Sequence, residues 1–121
     1  MKQDAPLKTI AQWTSDWADA KGLKVWYQPE ISSTNTFAKD HLNNSSLFPF
    51  LLYLADKQSA GRGRGQNSWS NPEPGTALLS TWCWFLKASP QPVLSPLVGL
   101  AVYRAASSTW PQLKFNLKAP N

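Results

Sequence analysis

The chain contains few of the residues that build disulfides and metal centres. Its 121 residues include one cysteine and one histidine. A single cysteine excludes an internal disulfide and a zinc site made of cysteines, and a single histidine does not make a histidine metal centre. We therefore expect Cys83 to be a buried structural thiol, and His41 to have a packing or surface role rather than a metal ligand's role.

Long apolar runs are also missing. No stretch approaches the ~20 consecutive apolar residues that a membrane-spanning helix needs. The first residues are not followed by the apolar core of a secretory signal. These absences favour a cytoplasmic protein with no membrane partner.

Acidic residues are fewer than basic ones. The Asp and Glu count is 7 and the Lys and Arg count is 12, which gives a net charge of +5. This charge suits anionic ligands or acidic partners, nucleic acid among them. The basic residues are scattered rather than grouped, which weakens the case for nucleic acid. A hydrophobic fraction of 42% and seven tryptophans are enough for the core of one domain or part of one.

Apolar periodicity predicts a chain that mixes helices and strands. We expect helices at residues 7–21, 36–42 and 94–106, and strands at residues 24–28, 48–55, 77–85 and 113–117. The resulting order, α-β-α-β-β-α-β, implies a mixed β-sheet flanked by helices, of the α/β or α+β class.

Three of these elements also have an expected environment. Trp13 and Trp17 lie one turn apart on the first helix, and we expect both in the core. The apolar run at 48–55 is typical of a strand covered on both faces. The apolar segment 94–106 suits a buried helix, which tolerates Pro96 in its first turn only.

The most informative segment is residues 58–69, which read Gln-Ser-Ala-Gly-Arg-Gly-Arg-Gly-Gln-Asn-Ser-Trp. Glycine allows the backbone to approach a ligand closely. Arginine supplies a permanent cation whose planar set of donors suits carboxylate and phosphate. The alternation of the two predicts a loop that can wrap an anion.

Two nucleotide-binding motifs are excluded for this loop, and two other interpretations stay open. A Walker A loop needs Gly-Lys followed by Ser or Thr, which does not occur in this sequence. A dinucleotide fingerprint needs a glycine where Gln66 stands. An Arg-Gly segment that binds nucleic acid fits the composition, although such segments usually repeat the unit. A mobile surface loop without a ligand is the other interpretation.

Three segments taken together resemble the catalytic domain of biotin–protein ligases. They are Ser33-Thr34-Asn35, the run from Gln58 through Gly-Arg-Gly-Arg to Trp69, and Lys118-Ala-Pro-Asn. The family pattern is Ser-Thr-Asn, then Gln-x-x-Gly-Arg-Gly-Arg with a following Trp, then Lys-Trp-Pro-Asn-Asp. The resemblance covers residues 24–121 and leaves 1–23 as an N-terminal helix. Lipoate ligases share the fold, but their histidine-aspartate and triple-glycine signatures are absent.

The resemblance implies a fold similar to that of class II synthetases and a two-step reaction. Biotin and ATP, with Mg²⁺, would form biotinyl-adenylate and pyrophosphate. A lysine of the biotin carboxyl carrier protein of a carboxylase would then take the biotin. Fixed cations would lower the barrier between two anionic substrates, and a closing loop would keep water from the adenylate.

The resemblance also assigns the biotin pocket to particular residues. Ser33, Thr34 and Asn35 would lie at the pocket, and Gln58 would hydrogen-bond the ureido ring of biotin. The alternatives are that Ser33 is only a helix cap and that Gln58 is only a loop residue.

The loop and the last residues would act on the adenylate and its phosphates. The loop over biotin and adenylate would consist of Gly61, Arg62, Gly63 and Arg64. Arg62, Arg64 and Lys118 are the expected catalytic residues. Lys118 and Asn121 would face the nucleotide phosphates and magnesium, and Trp69 would brace the loop at the nucleotide side. The alternative for Lys118 is an exposed strand end.

The sequence departs from the family pattern near its end. Ala119 stands where the family has tryptophan, and the chain stops at Asn121, before the aspartate of that motif. A Lys-x-x-Gly-Ile-Leu-type segment with a catalytic lysine, further strands and a small C-terminal β-domain would follow in the family. We therefore expect a partial catalytic domain, with a non-catalytic ligase-like binding module as the alternative. No helix-turn-helix domain, and so no repressor activity, is expected.

Overall fold

The computed structural model describes residues 7–42, 49–63, 65–70 and 72–118. The elements, in chain order, are α1 (Ile10–Ala20), β1 (Lys24–Ile31), α2 (Thr34–Leu42), β2 (Phe50–Gln58), β3 (Leu79–Trp84) and α3 (Leu94–Thr109). The chain divides into two compact units, Met1–Phe85 and Leu86–Asn121. All three strands belong to the first unit.

The first unit is built on a three-stranded sheet in the order β1-β2-β3. β1 is parallel to β2, with Lys24 opposite Leu51. β3 is antiparallel to β2, with Trp84 opposite Phe50. The predicted fold class, a mixed sheet flanked by helices, is confirmed.

The strand β2 carries the core because both of its faces are covered. Its residues 51–55 are each at most 1% exposed. Successive residues of a strand point to opposite faces, and here one face meets α1 and the other meets α2. The α1 side holds Ala11, Ala18, Leu52 and Leu54, and the α2 side holds Ala38, Leu51 and Tyr53. The sequence-based prediction of a strand buried on both faces is confirmed.

The helix α1 starts later than predicted because Thr9 caps it. The Thr9 hydroxyl accepts the backbone N–H of Gln12 at 3.1 Å, and the Gln12 side chain accepts the N–H of Thr9 at 2.9 Å, which forms a capping box. Trp13 and Trp17 are 63% and 47% exposed, so their predicted place in the core is wrong. Small alanines occupy the buried face instead, and they let the helix approach the sheet closely.

Two strands run further than the sequence predicted. β1 continues through Pro29 to Ile31, which is possible because β1 is at the edge of the described sheet, where a missing N–H breaks no ladder. β2 continues to Gln58. Gln58 is therefore the last residue of a strand and not a loop residue.

His41 has the packing role that the sequence predicted. Its Nδ1 lies 2.6 Å from the hydroxyl oxygen of Tyr53. The ring is perpendicular to that of Trp26, with 4.6 Å between the two centroids. The histidine thus joins the end of α2 to β1 and β2.

Cys83 packs against the cluster on the α2 side of the sheet and is half-buried rather than fully buried. Burial raises the pKa of its thiol.

Because the thiolate is the reactive form, we expect iodoacetamide to alkylate Cys83 in the native chain more slowly than in the urea-unfolded chain at the same mildly alkaline pH. The native rate should increase as the pH rises through the raised pKa. Equal rates for the two states would contradict this protection.

The second unit contains α3, which begins at Leu94 and has Pro96 in its first turn as predicted. None of its residues is buried, so the expected burial of this helix is wrong. The strand predicted at 113–117 is also wrong. The Leu113 N–H closes a turn onto the Trp110 carbonyl at 3.0 Å, and residues 114–118 have no regular structure. A strand needs a neighbouring strand, and the described residues of this unit provide none.

No helix in the described ranges combines the length with the apolar composition that a bilayer span requires.

Candidate functional site

A cleft of about 510 Å³ opens in the first unit beside the start of α2, the end of β2 and the strand β3. Its lining consists of Ser33, Thr34, Asn35, Gln58, Arg62, Trp69, Ser70, Pro72, Ala77, Leu78, Leu79, Ser80 and Thr81. The volume lies in the range of about 300–1,000 Å³ that is usual for small-molecule sites. The structure thus brings the Ser-Thr-Asn segment, the strand-end glutamine and part of the glycine–arginine loop to one place.

The parallel pairing of β1 with β2 brings the Ser-Thr-Asn segment close to Gln58. Ile31 is opposite Gln58 at the carboxyl ends of the two strands. Backbone hydrogen bonds continue beyond them, from the Ser59 N–H to the Ile31 carbonyl at 2.9 Å and from the Ala60 N–H to the Ser32 carbonyl at 2.8 Å. The carboxyl ends of parallel strands are where open α/β sheets commonly bind ligands.

A chain of hydrogen bonds joins the three elements around the cleft. The side-chain oxygen of Gln58 accepts the Thr34 backbone N–H at 2.7 Å and the Thr34 hydroxyl at 3.1 Å. The Thr34 hydroxyl also lies 2.9 Å from that of Thr81. Thr34 is 4% exposed, so these bonds satisfy polar groups that have little access to water.

Ser33 caps α2 and also lines the cleft, so the cap does not exclude the predicted role at a ligand, which stays a prediction. Its hydroxyl accepts the Thr36 N–H at 3.4 Å, which is the position of an N-cap for α2. It is 7% exposed and lines the cleft together with the exposed Asn35. Helix capping and a place at the ligand site are therefore compatible.

The glycine–arginine segment forms a small hairpin. The Trp69 N–H donates to the Gly61 carbonyl at 3.1 Å and the Gly63 N–H to the Asn67 carbonyl at 2.7 Å, with Arg62 and Ser68 bridged between them. Gly61 lies close to its neighbours, because a β-carbon there would lie 3.2 Å from Gln58 Nε2, which is a tight contact, and 3.5 Å from Trp69 Cβ. The hairpin is packed directly against the end of β2.

Trp69 holds this hairpin by its backbone and its ring. A β-carbon on Gly63 would lie 3.5 Å from the indole nitrogen of Trp69, so the ring is a neighbour of this glycine. The side chain is nevertheless 67% exposed and lines the cleft. The contacts support the expected bracing role, and the expected place near a nucleotide stays a prediction.

Arg62 is the charged residue among the described residues that line the cleft. Its side chain is exposed and can move toward an anion in the cleft.

Three other predicted site residues are not placed at the cleft. Lys118 belongs to the second unit, whereas Arg64 and Asn121 lie outside the described residues. The roles that the resemblance implies for these three stay predictions.

One wall of the cleft was not predicted from the sequence. Thr81 and the segment 77–80 line it, and none of them was named as a site residue. The only sequence signal was the pair Ser80-Thr81, two adjacent hydroxyl residues inside an otherwise apolar strand. Such a pair is also common on the exposed face of a strand, so it does not identify a site by itself.

The mixed sheet has parallel strands that end beside a cleft, which is lined in part by the arginine-bearing hairpin, and this arrangement suits a small-molecule site. The chain belongs to the biotin/lipoate A/B protein ligase family, whose model matches residues 27–119. No solved structure matches the chain. Ligases of this family use ATP and a biotin or lipoate substrate.

Proposed function

We propose that the chain is the biotin-binding part of a biotin–protein ligase. The observation that carries this proposal is the hydrogen-bonded group of Thr34, Gln58 and Thr81 in the cleft. The ureido ring of biotin has a carbonyl that accepts and N–H groups that donate, and this group offers partners of both kinds. The missing lipoate-ligase signatures support the same choice.

Lipoate fits this part of the cleft poorly. Its dithiolane ring has no N–H and no carbonyl, so it would form no hydrogen bond with the polar groups of the cleft. Each hydrogen bond that is not formed forgoes about 0.5–1.5 kcal/mol. A site built to hydrogen-bond a substrate therefore rejects an analogue that lacks those groups.

The positive charge of Arg62 suits the carboxylate at the other end of biotin. Arg62 lines the cleft, and its guanidinium can pair with a carboxylate through two hydrogen bonds. In the first step a biotin carboxylate oxygen would bond to the α-phosphorus of ATP as pyrophosphate leaves. In the second a lysine amine of a biotin carboxyl carrier protein would bond to the acyl carbon, lose a proton and release AMP.

The described residues do not form a metal centre. They contain no group of three or more His, Cys, Asp or Glu side chains that could hold a metal ion. The nucleotide contacts proposed for Lys118 and Asn121 rest on the resemblance alone.

Calorimetric titration of the full 121-residue chain tests the proposal. Biotin and a non-hydrolysable biotinyl-adenylate analogue are expected to bind and to raise the unfolding temperature, whereas lipoate at the same concentration is not. The reason is that biotin pairs with the polar groups of the cleft and lipoate does not. Lipoate binding as tightly as biotin would refute the biotin assignment. Biotin binding without pyrophosphate release from ATP would keep the recognition and refute the enzymatic part, leaving a binding module.

A further inference from the structure

The hydroxyl protons of Thr34 and Thr81 have one consistent arrangement. The atom of Gln58 that receives the Thr34 backbone N–H at 2.7 Å must be the amide oxygen, because a backbone N–H needs an acceptor. That oxygen cannot donate, so the Thr34 hydroxyl 3.1 Å away gives it its single proton. Thr34 has then no proton left for Thr81. The 2.9 Å contact between the two hydroxyls is therefore a hydrogen bond that Thr81 donates.

This arrangement fixes what Thr81 can offer to a ligand. A hydroxyl has one proton and two lone pairs, and the proton of Thr81 is committed to Thr34. Thr81 also lines the cleft, so toward a bound molecule its oxygen can act only as an acceptor. The oxygen of the Gln58 amide accepts from Thr34, so the donors of this amide are its N–H groups.

We propose that Thr81 is the hydrogen-bond acceptor by which the cleft recognises a ring N–H of its ligand. The inference rests on the proposed biotin function and adds a specificity-determining residue to it. In a ureido ring an N–H stands directly beside the carbonyl. The Thr81 oxygen on β3, which lines the cleft, is an acceptor of the kind that this N–H needs. A ring without an N–H gains nothing from Thr81.

The strand geometry keeps this acceptor in place. Thr81 is opposite Tyr53 in the ladder between β2 and β3, and Tyr53 is 1% exposed in the centre of the core. The Thr81 backbone therefore sits against a fixed element rather than a loop. An acceptor on a rigid strand is held ready before the ligand arrives, so little order has to be gained on binding.

Two substitutions of Thr81 separate the oxygen from the shape of the side chain. Thr81→Val keeps the branched shape and removes the oxygen, whereas Thr81→Ser keeps the oxygen. Each full-length variant is titrated calorimetrically with biotin and with lipoate, after its unfolding temperature has been checked. Thr81→Val is expected to weaken biotin binding roughly ten- to hundredfold, and Thr81→Ser should bind biotin nearly as the wild type does. Neither should weaken any lipoate binding.

The outcomes distinguish this inference from the function on which it rests. A wild-type chain that binds biotin, with a Thr81→Val variant that binds it equally well, overturns the inference alone. An equal loss for biotin and lipoate also overturns it, because the substitution would then have damaged the cleft in general. A wild-type chain that binds no biotin, or prefers lipoate, overturns the proposed function and the inference together. Thr81→Ala removes the same oxygen with less bulk and decides the matter should the valine variant not fold.

Discussion

Gln58→Glu is expected to abolish tight ligand binding while the protein stays folded. A carboxylate supplies the oxygen that the Thr34 N–H and hydroxyl need, at the distances of 2.7 Å and 3.1 Å seen for the amide. It has no N–H, so the donor that we propose for the ligand's carbonyl would be lost and replaced by a negative charge. We expect biotin affinity to fall by about a hundredfold or more, as measured by calorimetry.

Gln58→Leu is the matched control for this prediction. Leucine removes the donor as well as the acceptor, and it leaves the N–H and hydroxyl of the nearly buried Thr34 without the amide oxygen. Each group that stays unpaired costs about 1–3 kcal/mol. The leucine variant should thus lose both binding and several degrees of unfolding temperature, whereas the glutamate variant loses binding alone. Wild-type affinity in the glutamate variant would show that the amide N–H does not contact the ligand.

The parts of the fold that the sequence predicted well are those determined by local pattern. The apolar run of β2 has no polar residue to place on a wet face, and both faces are indeed buried. Ser33 precedes a helix because its hydroxyl can satisfy an N–H of the first turn, and the structure shows that bond. Pro96 marks the first turn of α3 for the same local reason, since proline lacks only an N–H that is unpaired there anyway.

The errors have a different physical origin, which is contact between distant residues. Alternating residues at 113–117 form a strand only where another strand can pair with them, and no residue within the segment reports that partner. Trp13 and Trp17 lie on the correct helix, but the face that α1 buries is chosen by how closely it can approach the sheet. Alanine permits a closer approach than tryptophan, so Ala11 and Ala18 are buried instead.

The same distinction explains the candidate site. Ser33, Thr34 and Gln58 were predicted from a motif, and the parallel register of β1 and β2 brings them together in the cleft. Thr81 reaches the cleft only through the antiparallel register of β3 on β2. Register depends on the complete sheet, so Thr81 could not be assigned before the structure.

The second prediction with a large expected effect concerns the stability of the protein. It concerns Gly75, which precedes the cleft-lining segment 77–80. Gly75 joins β2 to the start of α1, because its N–H donates to the Asp56 carbonyl at 3.1 Å and its carbonyl accepts the Ile10 N–H at 3.0 Å. Its φ is +82°, and an added β-carbon would lie 2.7 Å from Thr9 Cγ2 and 3.0 Å from Thr9 Cβ. Gly75→Ala therefore combines backbone strain with overlap, for about 2–4 kcal/mol of lost unfolding free energy.

Gly22→Ala separates the two contributions in a urea-denaturation series. Its φ of +71° is similar, but nothing lies within 4 Å of the added carbon, so only the backbone cost of about 1–2 kcal/mol is expected. Thr9→Ser removes the nearer clashing carbon and keeps the hydroxyl that caps α1. The double variant Thr9→Ser with Gly75→Ala should therefore recover part of the loss. Equal losses for the two glycine substitutions would mean that Thr9 moves aside freely and that α1 does not fix this wall. A larger loss at Gly75, rescued by the serine, would identify the helix start as its support.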